Sequence, residues 1–274
     1  MMAENRDPAD LAALFGEPGA KPVDPVALAR RDLKKHLPKR FFDRAEVLAL
    51  DEGFALALDG RRAKTPARQD LILPTQAAAD ALAGEWNALT EIVDPDLMPL
   101  TRIANSAIDG VRGALAETAN EIIRYAGSDL VCYRAEGPES LVAAQASAWD
   151  PVLAFAREAL SARFVCGEGV IFVTQPPEAE AALARAVRRW TEGKATAPFA
   201  LACLHVMTSL NGSALIALAV AHGALAPEQA WAAAHVDEDF QMRVWGRDEE
   251  AMARREKRWR DMAAAARLFQ LVHS

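Results

Sequence analysis

The hydrophobic periodicity of this chain changes once, at Pro74-Thr75, and that change fixes the order of its elements. Before it, apolar residues come in short runs. Residues 46–50 (EVLAL) and Gly53–Leu58 (GFALAL) read as strands, and Asp59-Gly60 follows directly. Asp-Gly is strong hairpin chemistry, because both central residues of the favoured turn take positive φ. Residues 61–65 form the return strand, stopped by Pro66, and residues 71–73 a further short strand stopped by Pro74. After Thr75, a helix N-cap candidate, the period becomes helical. Ala79, Leu82, Trp86 and Leu89 share one face; Leu100, Ile103, Ala107, Ile108 and Val111 share the next. Helices are expected over 140–163, 177–190, 198–210, 213–224, 227–245 and 247–269. A β-branched and aromatic run at 169–174 (GVIFVT) reads as one late strand. Strands first and helices later predict an α+β chain, a small antiparallel β part followed by a larger helical part.

Several function classes are disfavoured at this level. A formal net charge of -7 argues against broad nucleic-acid binding, which needs a basic face. The most apolar stretch, 199–226, is broken by Asn211-Gly212-Ser213, and neither half can cross about 30 Å of hydrocarbon. The first residues are polar and acidic, without the apolar core of a secretory signal or the Arg-rich, acid-poor composition of a transit peptide. A cytoplasmic setting is expected, without membrane insertion. Cys132, Cys166 and Cys203 are far apart and form no C-x-x-C pair, so buried free thiols are expected rather than a disulfide framework or zinc site. Residues 1–38, interrupted by five prolines, read as weakly ordered.

No catalytic signature emerges. The chain has no G-x-G-x-x-G, Walker or G-x-S-x-G sequence, and none of its five histidines forms an H-E-x-x-H pair. His205 and His222 lie on apolar helices and read as core histidines. Asp237, Glu238 and Asp239 are the densest carboxylates, but successive helical residues point about 100° apart and do not converge on one metal. His235 and Asp239, four apart, share a face. Two alternatives stay open on the residues alone. One is a metal-assisted hydrolase built around His235 and Asp239. The other is a regulatory module using the basic segment from Arg30 to Arg44.

The most specific segment is 235–246 (HVDEDFQMRVWG). Glu238, Gln241 and Trp245 stand at i, i+3 and i+7, a stripe of carboxylate, amide and indole that suits recognition of another polypeptide or a polar packing network. This helix resembles the chaperone family that assembles the F(1) head of ATP synthase, in the branch that handles the α subunit. So do Arg40-Phe41-Phe42, Leu58-Asp59-Gly60-Arg61, Lys64-Thr65-Pro66, Leu73-Pro74-Thr75, Glu85-Trp86, Met98-Pro99-Leu100-Thr101, the run from Asn105 to Asp109 and that from Asp129 to Arg134. The resemblance spans roughly residues 38–270. It implies an α+β fold: a small N-terminal antiparallel β domain (39–95, after the segment 1–38) and a mainly helical orthogonal-bundle domain (96–274). It implies a non-catalytic protein without cofactor or metal, monomeric when free, that binds the α subunit and masks the interface awaiting the β subunit. By motif match, partner binding falls to Trp86, Asp237, Glu238, Asp239, Gln241 and Trp245.

Overall fold

The computed structural model describes residues 37–169, 171–192 and 195–274. The expectation for residues 1–38 falls almost wholly outside them, as do residues 30–36 of the basic segment. By contacts the chain divides into two units. In the smaller, residues 37–41 run against 91–94: Lys39 bridges Ile92 antiparallel, Arg40 N–H donates to the Glu91 carbonyl (2.8 Å), and Val93 N–H to that of Pro38 (2.9 Å). The larger holds 42–90 and 95–274.

In the larger unit β1 (Ala45–Leu50) and β2 (Gly53–Leu58) form a hairpin, with Ala45 opposite Leu58 and Leu50 opposite Gly53. Asp59 (φ 48) and Gly60 (φ 77) then make the expected turn into β3 (Arg61–Arg62). The Asp59 carboxylate accepts N–H groups from Asp43 and Arg44. β4 (Ile72–Leu73) pairs with the other half of the β2 edge used by β3, so β2 is central and Ala55, Leu56, Ala57 and Leu58 are all buried. Helix α1 (Gln76–Asn87) packs on β1 and β2. Thr75 caps it by accepting from Ala78 N–H, and at its end the Asn87 amide brackets the backbone N–H and C=O of Ala45 at 2.8 Å each.

The helical part is built around α6 (Ala197–Asn211) and α7 (Ala214–Ala221). Both are apolar nearly all round, the signature of a helix enclosed by others. Gly212, at φ 65, takes the left-handed conformation that ends α6, and Ser213 caps α7 through the Ile216 N–H. Against α6 lie α2 (Pro99–Asp109), α3 (Leu115–Arg124) and α10 (Glu249–Leu271). Helix α4 (Glu139–Ala159) packs on α7, and α5 (Pro177–Arg188) on α3. Buried Trp149 on α4 donates its indole N–H to the Ala233 carbonyl (2.7 Å). No helix among the described residues is long and apolar enough to cross a membrane. The fold is therefore α+β, a small antiparallel sheet followed by a mainly helical region.

Two expectations change. The strand expected at 169–174 is absent where that run is described. The pairing instead uses β6 (Gly167–Glu168), parallel to β5 (Tyr133–Arg134). Gly169, at φ 71, turns the chain out of that ladder and leaves Ile171 and Phe172 exposed. The helix expected at 227–245 is two helices, α8 (Pro227–Ala234) and α9 (Val236–Trp245), broken at His235. The His235 ring is buried, with Nδ1 2.8 Å from the Trp231 carbonyl.

Candidate functional site

Helix α9 is held on two sides by polar clamps. The Asp237 carboxylate accepts from the Gln145 side-chain amide of α4 (2.7 Å), and buried Gln145 also accepts from Ala135 N–H. Asp239 is gripped by both terminal nitrogens of Arg255 on α10. Gly246 (φ 94) then reverses the chain, and Asp248 caps α10 through the Glu250 N–H (2.9 Å). Clamp, turn and cap form a helical hairpin.

What this hairpin presents is the predicted stripe. Glu238, Gln241 and Trp245 are all exposed, Trp245 at 86% and its neighbour Val244 at 55%. Glu238 lies 3.9 Å from His235 Nε2. Burial holds the His235 pKa below its usual value, outweighing the Trp231 carbonyl and Glu238, which raise it. The imidazole is therefore neutral at pH 7, and among the described residues no cation is paired with Glu238. The six predicted residues thus separate. Asp237 and Asp239 are struts, whereas Glu238, Gln241 and Trp245 point at solvent. Trp86 stands elsewhere. Half-buried, it donates its indole N–H to Thr101 Oγ1 (3.0 Å) and packs on Phe42, rings 5.5 Å apart.

The residues offered for metal chemistry are engaged otherwise: His235 Nδ1 with the Trp231 carbonyl, and Asp239 with Arg255. Among the described residues no group of three or more His, Cys, Asp or Glu side chains is placed to hold a metal ion.

Sequence reasoning missed other arrangements. Glu85 supplies the cap that α2 lacks, since Met98 at its N-cap has no side-chain bond. Its carboxylate accepts from Leu100 N–H (2.9 Å), Thr101 N–H (2.8 Å) and Thr101 Oγ1 (2.7 Å). Burial raises its pKa against those hydrogen bonds. Asp129, fully buried, accepts from Val131 and Leu215 N–H, tying the loop before β5 to the start of α7. Burial pushes its pKa up to about 6. No sequence period marks either carboxylate, because each caps a helix distant in sequence. The core reading of two histidines fails. His205 is half-buried in a cleft of about 670 Å³ between α2, α3, α6 and α10, with Nε2 3.1 Å from Glu121, and His222 is exposed at the end of α7. Cys132 and Cys203 are buried thiols as expected, but Cys166 is exposed.

Comparison with known proteins agrees with this architecture. The family model of the ATP12 chaperone protein matches residues 39–157. A putative chaperone of Agrobacterium tumefaciens, the Atu1473 protein, superposes with a TM-score of 0.82 at 45% identity, over 96% of this chain and 95% of its own. Atp12 from Paracoccus denitrificans superposes at 0.78 with 40% identity, over 86% of this chain and 98% of its own. A point mutant of the Paracoccus denitrificans protein gives 0.78 at 39% identity, with the same coverage. Identity of this extent over nearly the whole relative, on the same sheet-then-helices order, places the chain in the ATP12 chaperone family, the ATP synthase assembly chaperones.

Proposed function

We propose that the protein binds the free α subunit of the ATP synthase F(1) head and masks its β-facing interface until the β subunit replaces it, without catalysing a reaction. A subunit destined for a ring exposes apolar interface before its neighbour arrives, and such surface aggregates. The observation that carries the reading is the α9–α10 hairpin. It is fixed by Asp237 and Asp239, yet displays Glu238, Gln241, Val244 and Trp245 to solvent. A tryptophan with one valine beside it, among polar side chains, offers an anchor without a large dry surface, which suits a partner that must later be displaced. Asp237, Glu238, Asp239, Gln241 and Trp245 form the contact and its support, with Trp86 setting the β part against α2. Residues 30–36 of the basic segment lie outside the described residues, and nothing in the rest of it favours a regulatory module.

The test is capture and aggregation of an isolated F(1) α subunit. Purified protein is expected to bind it and keep it soluble, and Trp245→Ala to weaken capture about tenfold or more without lowering the melting temperature. Failure of the unaltered protein to bind the subunit or suppress its aggregation would sink the proposal.

A further inference from the structure

Between α8 and the first half of α10 lies a notch of about 310 Å³ lined by Glu228, Trp231, Met252, Arg255, Glu256 and Trp259. On α10, Met252, Arg255, Glu256 and Trp259 recur at i, i+3, i+4 and i+7, one face of the helix; on α8, Glu228 and Trp231 stand at i and i+3. The two indoles meet at 5.7 Å between ring centroids, tilted by 46°. Trp231 is almost wholly buried as the inner wall, Trp259 is half-exposed, and Met252 is open at the rim.

The charges decide what fits. Arg260 lines the neighbouring cleft with Glu256 and Trp259, one turn from Glu256 but in no ion pair with it, and the two other guanidinium groups near the notch are engaged. Arg255 is held by Asp239, and Arg258 donates to the Leu210 carbonyl (3.0 Å) while sitting 6.0 Å from the Trp231 ring. Glu228 and Glu256 are exposed and have no ion-pair partner among the described residues. Two uncommitted carboxylates beside tryptophan faces and a thioether repel an acidic guest and leave a neutral one without the charge that would compensate them. A planar cation stacks on an indole while donating to carboxylates at its edges, and arginine does both with one group.

We propose that this notch receives an arginine side chain of the bound polypeptide, stacked on Trp259 and hydrogen-bonded to Glu228 and Glu256. The notch adjoins the α9–α10 hairpin through the Asp239–Arg255 pair, so one client can engage both surfaces. That the arginine belongs to the α subunit rests on the function proposed above.

The experiment uses the full chain and arginine amide as probe, with citrulline amide, which keeps the α-amino group but replaces the guanidinium by a neutral ureido group, as control. Indole N–H resonances are followed by ¹⁵N NMR and assigned by substitution. Arginine amide is expected to shift the Trp231 and Trp259 signals and leave that of buried Trp149 in place, whereas citrulline amide moves none. Trp231 is too buried to substitute safely, so the variant is Glu228→Gln/Glu256→Gln, both at exposed positions. It should fold as the unaltered protein and raise the arginine amide dissociation constant about tenfold. Silent indoles, an equal response to citrulline amide, or undiminished binding by the double variant would each overturn the proposal. In a second arm the double variant should capture the α subunit more weakly and with a shallower salt dependence; unchanged capture overturns the notch as a client contact. If the unaltered protein ignores the α subunit while its indoles answer arginine amide, the subunit assignment falls and the arginine site stands.

Discussion

Asp239 and Glu238 are adjacent carboxylates on one helix, one tied to Arg255 and the other left exposed to solvent. Asp239 grips Arg255, whose side chain is only 16% exposed against 38% for the aspartate. Such a pair exceeds the 0.2–1 kcal/mol or so of an open surface ion pair and falls short of the roughly 3–5 kcal/mol lost when a fully buried pair is broken. Asp239→Asn should therefore cost about 1–2 kcal/mol. In a chain of this size that lowers the melting temperature by about 2–8 °C. Glu238 is exposed beside a neutral imidazole, and Glu238→Lys should change stability by no more than about 0.5 kcal/mol. Thermal and urea unfolding supply both numbers, and a double-mutant cycle through Arg255→Gln isolates the pair. Capture of the α subunit should respond the other way, with Glu238→Lys weakening it at unchanged stability. If Glu238→Lys melts several degrees lower while Asp239→Asn melts with the parent, the division into strut and contact is wrong.

Other outcomes follow from buried groups. Asp129 has its pKa raised from 3.8 to about 6 by burial, so the folded state binds the extra proton between about pH 4 and 6, and stability from this group falls as pH rises through that window. Relative to Asp129→Asn, the parent should gain about 2 kcal/mol on going from pH 7 to pH 4, read from urea midpoints; a gain in the opposite direction would mean the helix N–H groups outweigh burial. Glu85→Ala removes the acceptor at the start of α2, should cost about 1–2 kcal/mol, and should speed hydrogen exchange at the Leu100 and Thr101 amides. Trp149→Phe strands the buried Ala233 carbonyl and should cost about 1–3 kcal/mol by chemical denaturation, with α-subunit capture intact below the new melting temperature.

Local chemistry was the legible part of this chain. The Asp59-Gly60 turn, the Thr75 cap and the Asn211-Gly212-Ser213 break each depend on residues a few positions apart, and each forms as its side chains dictate. The stripe of Glu238, Gln241 and Trp245 was equally readable, because helical spacing alone puts these residues on one face. What was hidden depends on partners far along the chain. Residues 169–174 have strand composition, yet strand pairing goes to Gly167–Glu168, because the register of Tyr133–Arg134 and the positive φ of Gly169 decide where the ladder stops. The break at His235 pairs an imidazole with a carbonyl one turn back and seats its ring on Trp231, centroids 3.9 Å apart, geometry that no apolar period announces. The arginine notch was invisible for the same reason. Glu228 and Trp231 come from one helix and Glu256 and Trp259 from another, and only the fold makes them one surface.

This division between local and distant determinants bears on how the surface proposed to mask a client is held in place. A surface that must meet another chain cannot be held in place by burying its own contact residues. Here α9 buries none of its ten residues outright, so almost nothing hydrophobic fixes it. Its position comes from the flanks instead: Asp237 on Gln145, Asp239 on Arg255, His235 on Trp231, and behind these the Trp149 indole on the Ala233 carbonyl at the end of α8. Each is directional, so together they set orientation as well as distance. The consequence is a preformed surface whose outward residues are free to be chosen for the client. The carboxylates Glu228, Glu238 and Glu256 on this side also disfavour stacking of one copy on another through the exposed Trp245, as like charges brought together across a contact repel. Neutralising all three should therefore promote self-association before it affects folding, a result that sedimentation velocity would register as a concentration-dependent shift absent from the parent.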